Sequence, residues 1–99
     1  MGVTMYGTTM IGTLAEGVTP DNLRAELTAW EKERHVPGFQ SSHVLVSDDG
    51  KTVINVAVFD SKESYLALAD DPAQDAWWQQ HFVPMLADEP RWVDGDWIS

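Results

Sequence analysis

The sequence contains no cysteine, which excludes disulfides, thiolate metal sites and a thiol nucleophile. Basic residues are scarce: 6 Lys and Arg stand against 16 Asp and Glu, for a formal charge of −10. A chain this acidic repels phosphate backbones and anionic lipid surfaces, so neither nucleic acid nor membrane is an expected partner. The acids are dispersed, as on a solvated surface. No apolar run approaches the ~20 residues of a membrane span. Met1 to Thr13 lacks the basic flank and long apolar stretch of a secretion signal, and Tyr6 stands where a myristoylation signal wants Ser or Thr. A cytoplasmic location is the expectation. His35, His43 and His81 are scattered without ligand spacing, so no metal site is expected. A Gly-rich phosphate loop and a nucleophile elbow are also missing.

What is present is bulky and apolar. Hydrophobic residues make up 43% of the chain, and five are Trp. Its 99 residues fit one domain, residues 1–99. A domain of that size has a thin core. The surplus apolar surface calls for an interface or a ligand pocket, since large exposed patches are rare on soluble monomers.

Tyr6 to Leu14 reads as a first strand. Thr19-Pro20-Asp21 then carries a cap, a first-turn proline and an acid at the positive end of the dipole. Leu23, Leu27 and Trp30 recur at i, i+4 and i+7, predicting an amphipathic helix of about four turns that ends before Pro37-Gly38. Phe39 to Ser47 is a second strand. Asp48-Asp49-Gly50-Lys51 predicts a hairpin turn with positive φ at Gly50. Thr52 to Phe59 is a third strand, nearly continuous in apolar residues. Asp60-Ser61-Lys62-Glu63 resembles a capping box opening a second helix. Asp71-Pro72 opens a third, running through Trp77, Trp78 and Phe82 until Pro84 kinks or ends it. Arg91 to Ile98 is a last strand, bent at Asp94-Gly95. The order β-α-β-β-α-α-β predicts an α+β, ferredoxin-like split βαβ with a four-stranded antiparallel sheet. A strand apolar on both faces is covered on both faces. The helices supply one cover for Val53 to Phe59, and a second copy of the chain supplies the other, so a homodimer is expected.

Phe59 to Leu66 closing the third strand, Asp71-Pro72 opening a helix, Phe82-Val83-Pro84-Met85-Leu86 and Glu89-Pro90 resemble the antibiotic-biosynthesis-monooxygenase family, as does Pro37-Gly38-Phe39. The resemblance spans about residues 5 to 98. It implies a dimeric α/β barrel, two sheets packed face to face, with a pocket in each subunit between sheet and helices. It also implies a small-molecule ligand and, in one branch, oxygenase chemistry without a cofactor on an aromatic, polyketide or quinol-type substrate. Another branch degrades haem with an Asn on strand one, a Trp on the second helix and a His on the third. Tyr6 to Leu14 has no Asn and the second helix has no Trp, leaving His81 as an axial ligand for haem binding alone.

Cofactor-free oxygenation needs an apolar cavity, a hydrogen bond to the substrate anion and a base. Tyr65, Trp77, Trp78, Phe82 and Phe39 are candidate walls. His81, His43, Asn55, Tyr65 and the Thr8/Thr9 pair are candidate polar groups. Of these, His81 is the candidate base and Asn55 the residue that positions an oxygen, while Tyr65, Trp77, Trp78 and Phe82 would hold the ring. Trp77 shares a helix face with His81, and Trp78 with Phe82. Each has a plainer alternative: the tryptophans fill core and interface, His81 complements a helix end, Asn55 bonds across strands or to water, and Tyr65 packs beside a helix start. An apolar-ligand-binding or stress-related dimer without catalysis is the second expectation.

Overall fold

The computed structural model describes residues 5–33 and 35–98. Its elements are β1 (Met5–Thr13), α1 (Pro20–Glu33), β2 (Phe39–Val46), β3 (Thr52–Phe59), α2 (Lys62–Ala69), α3 (Pro72–Trp77), a π turn (Trp78–Phe82), a 3-10 turn (Val83–Met85) and β4 (Arg91–Trp97). The strands form one antiparallel sheet in the order β2-β3-β1-β4. This is the α+β ferredoxin-like arrangement, with β1 and β3 side by side at the centre.

Local chemistry sets the element ends. At α1, Thr19 Oγ1 accepts from the Asn22 N–H at 3.3 Å, while Asn22 Oδ1 accepts from the Thr19 N–H at 2.9 Å. That is a reciprocal capping box with Asn in the third position. In the β2–β3 hairpin Gly50 takes φ +76, the left-handed conformation the turn demands. The Asp49 carboxylate accepts from the Ser47 hydroxyl and the Lys51 N–H, and these bonds hold its pKa below the usual value. The cap of α2 falls one residue later than the sequence pattern suggests. Ser61, not Asp60, accepts from the Ser64 N–H. The Asp60 N–H is committed to the Gly38 carbonyl at 2.8 Å, and its carboxylate takes the Ser64 hydroxyl. A Cβ on Gly38 would collide with both side chains, so the Pro37-Gly38 turn is docked on the start of α2.

The third helix departs from expectation. Instead of running as an α-helix through Phe82, it ends at Trp77 and widens into the π turn, where the Val83 N–H reaches back to the Trp78 carbonyl. Pro84 supplies the reason: in α register its ring would press on the carbonyl of Gln80, four residues back. Isolated π turns of this kind recur at functional sites.

Side chains alternate across the sheet. The strand register places Thr8, Met10 and Gly12 of β1, Val53, Asn55, Ala57 and Phe59 of β3, and Trp92 and Asp94 of β4 on the helix side. Met10, Leu14, Leu23, Val53, Phe82 and Leu86 form the buried cluster there. The opposite face carries Thr9, Ile11, Ile54, Val56, Val58, Leu45, Val93 and Trp97. Among the described residues no element covers it: Leu45 is 58% exposed, Val93 48% and Trp97 37%. The Trp97 indole crosses β1 over Gly7 to donate to the Ala57 carbonyl at 3.2 Å, and a Cβ on Gly7 would strike it. Among the described residues no helix is long and apolar enough to cross a membrane.

Candidate functional site

A cavity of about 780 Å³ lies between the helix side of the sheet and the helices. Its walls are aromatic. Trp30, Phe39, Phe59 and Tyr65 form one edge-to-face chain, with successive ring centroids 5.1, 5.7 and 5.4 Å apart. Trp78 stacks on Phe82 at 4.6 Å and leans on Trp92 at 5.1 Å. The β-bulge between Phe39 and Ser41 returns Phe39 to the helix side opposite Phe59. The Trp30 indole N–H is held by Gln74 Oε1 at 3.0 Å, which ties α1 to α3.

Two polar atoms in this lining are buried and, among the described residues, have no hydrogen-bond partner: Asn55 Oδ1 and Trp77 Nε1. An unpaired buried polar atom costs ~1–3 kcal/mol, so two in one cavity wall need an explanation. Both residues stand in the cavity wall, but the two unpaired atoms themselves are enclosed by protein rather than presented at the cavity surface.

A third polar feature is built on Asp94 of β4. Its Oδ1 accepts from the Tyr65 hydroxyl at 3.1 Å and from Thr8 Oγ1 at 2.5 Å. Tyr65 and Thr8 line the cavity, while Asp94 lies on an exposed strand. Partial burial is the largest cause that pushes the Tyr65 pKa above 10.0; the Thr8 hydroxyl opposes it, and the Asp94 charge adds to the rise. The phenol is therefore a neutral donor to Asp94 with its oxygen lone pairs left for a ligand. A ligand hydroxyl can pass a proton to the Tyr65 oxygen while Tyr65 passes its own to Asp94.

Of the residues singled out in the sequence, Asn55, Tyr65, Trp77, Trp78, Phe82, Phe39 and Thr8 are brought together in this lining. His81 is not among the lining residues. Its ring stacks on Trp77 at 5.1 Å, and Nδ1 lies 3.3 Å from Glu26 Oε2 on α1. The residues present do not fit a haem in this cavity, because the histidine offered as axial ligand is engaged elsewhere. His43 pairs with Val56 and Thr9 with Val93 on the opposite sheet face. Among the described residues no group of His, Asp and Glu could hold a metal ion. Sequence reasoning missed Asp94, Trp92, Gln74 and Trp30 as parts of the site. The period-two spacing of Trp92 and Asp94 puts both on one face and is the signal that could have found them.

No protein-family model matches the sequence, and no curated protein matches it either. Solved structures do match. A Chloroflexus aurantiacus protein, provisionally named an antibiotic biosynthesis monooxygenase, is 26% identical over 92% of each chain, with TM-score 0.63. A Streptomyces coelicolor monooxygenase in complex with the ligand nanaomycin D is 21% identical over 95% of this chain and 88% of its own, with TM-score 0.70. A dimeric ferredoxin-like protein of unknown function from Thermobifida fusca is 22% identical over 93% of this chain and 90% of its own, with TM-score 0.66. The fold is thus that of the α+β ferredoxin-like proteins. Within that class it is the fold of the antibiotic biosynthesis monooxygenases.

Proposed function

We propose that the protein is a cofactor-independent monooxygenase acting on an aromatic, polyketide or quinol-type small molecule, and that it works as a homodimer. The carrying observation is the aromatic cavity with Tyr65 in its lining and the Tyr65 hydroxyl bonded to Asp94. The Streptomyces monooxygenase, similar in fold, is described with a polycyclic ligand, which supports the substrate class. The Thermobifida protein, described as dimeric, and the uncovered apolar sheet face support the pairing.

In this scheme the aromatic rings hold the substrate ring and exclude water. A ring hydroxyl gives its proton to the Tyr65 oxygen as the Tyr65 proton moves to Asp94, which opens onto solvent. The electron-rich ring anion reduces dioxygen and forms a C–O bond to it. One oxygen atom stays as a new carbonyl and the other leaves as water, so a phenol becomes a quinone. The Asn55 amide and the Trp77 ring, both in the cavity wall, flank the substrate. His81 is a positioning residue here: its stack fixes Trp77, and its pair with Glu26 fixes the π turn against α1.

The test is oxygen uptake with a dihydroxynaphthalene. Tyr65→Phe should lower kcat at least tenfold with an unchanged circular dichroism spectrum; full activity in that variant overturns the proton route. A second reading, an apolar-ligand-binding module without catalysis, is favoured by the position of His81 outside the lining. Tight ligand binding without oxygen uptake would select it.

A further inference from the structure

The cavity combines many aromatic walls with an unusual charge pattern. Among the described residues that line it there is no Lys, Arg or His. Three of the lining residues are acids, Asp75, Asp88 and Glu89, all exposed at the cavity mouth. A fourth carboxylate, Asp94, stands behind Tyr65.

Part of the neutral donor set is committed, while Ser42, Gln79, Trp78 and Trp92 add neutral donors of their own to the lining. The Tyr65 proton is given to Asp94, the Thr8 proton to Asp94 and the Trp30 N–H to Gln74. The indole N–H of Trp77 is the unpaired buried donor among the described residues, and the unpaired buried acceptor is Asn55 Oδ1. A carboxylate presents about four acceptor sites, and charged groups are buried at low cost only when paired and fully hydrogen-bonded. This lining offers a carboxylate neutral donors only, no counter-ion and like charges at the entrance. A neutral hydroxyl or carbonyl, in contrast, needs one or two hydrogen bonds and no counter-ion, which the neutral polar side chains of the lining can supply.

We infer that the cavity selects uncharged hydroxylated aromatic rings and turns away the same ring system when it bears a carboxylate. The inference rests on the reading of this cavity as the ligand site, but not on turnover there. The acids at the mouth act before binding as well, by repelling anionic ligands on approach, an effect that salt weakens.

Equilibrium dialysis at neutral pH against 2-naphthol and 6-hydroxy-2-naphthoic acid separates the cases, because the two probes share ring and hydroxyl and differ by one carboxylate. The naphthol should bind at least tenfold more tightly. In the Asp75→Asn, Asp88→Asn, Glu89→Gln triple variant that preference should fall at least threefold. Equal or tighter binding of the acid, binding of neither probe, or a preference unmoved in a folded triple variant overturns the inference. Oxygen uptake followed in parallel with a dihydroxynaphthalene keeps the two ideas apart. A strong preference without uptake sinks the oxygenase reading and leaves the selectivity standing; uptake without preference does the reverse.

Discussion

Along β3, Asn55 and Ala57 face the cavity while Ile54, Val56 and Val58 face away from it. Neighbouring strands repeat the contrast, with Thr8 against Thr9 on β1 and Asp94 against Val93 on β4. The helix side holds the orphan amide, the Tyr65–Asp94 bond and the stacked rings. The other side holds β-branched and aliphatic groups, with Trp97 lying flat over Gly7. A period of two lets one set of strands carry polar recognition on one face and sticky surface on the other. The two faces differ in the chemistry they present: the first suits a small ring with a few polar groups, and the second a large flat apolar surface.

The strongest way to break this contrast is a charge in the middle of the uncovered face. If a second sheet packs there, Val56→Lys buries an unpaired ammonium. The cost is several kcal/mol, roughly 10 to 20 °C in Tm for a domain of this length. Light scattering should then report monomers or aggregates in place of dimers. On a face that stays wet, the substitution would move stability by only ~0.5 kcal/mol, and the native mass would not change. That second outcome would remove the homodimer.

On the cavity side the sign should reverse. Asn55→Leu replaces an unpaired buried amide with an apolar group of similar volume. The variant should melt at least as high as the parent, with a gain of up to ~1–3 kcal/mol. Affinity for a hydroxylated ring should fall in the same variant. A clear loss of stability would mean that Asn55 Oδ1 is satisfied in solution by an ordered water, and its claim on a ligand would lapse.

Much of this contrast is legible in the sequence, and the parts that are not share a cause. The hairpin turn, the β3 limits at Thr52 and Phe59 and the positive φ of Gly50 follow from local chemistry, and the structure has all three. The unbroken apolar run of β3 announces a strand needed on both faces. Asn55 stands out because it interrupts that run. The π turn was not visible, because residue spacing reports a helical face but not a one-residue change of register. Asp94 read as one more solvated acid; its two bonds depend on β4 pairing with β1 and on α2 lying above, contacts 86 and 29 residues apart in sequence. Which way His81 faces rested on the same unseen register. His81→Ala tests its supporting role: kcat should fall less than tenfold, with a blue shift in tryptophan fluorescence as Trp77 loses its stacked partner. A larger fall in kcat without a spectral change would make His81 a direct participant.

The smallest expected effect is a pH dependence confined to the cavity face. Burial above all, and the Asp94 charge in smaller measure, raise the folded pKa of Tyr65 above 10.0, the value it regains on unfolding. A raised folded pKa means that the stabilising contribution of the neutral phenol is complete below the unfolded value. It is lost as pH climbs through the folded value. Melting temperature measured from pH 8 upward should therefore fall more steeply for the parent than for Tyr65→Phe once pH passes about 10. Asp94→Asn should lower the Tyr65 pKa partway, since burial remains when the charge is gone. Ultraviolet titration of the phenol, compared with the Tyr65→Phe baseline, reads that shift directly. If Asp94→Asn leaves the titration unmoved, the carboxylate does not sense the phenol, and the cavity loses its path for a proton to solvent.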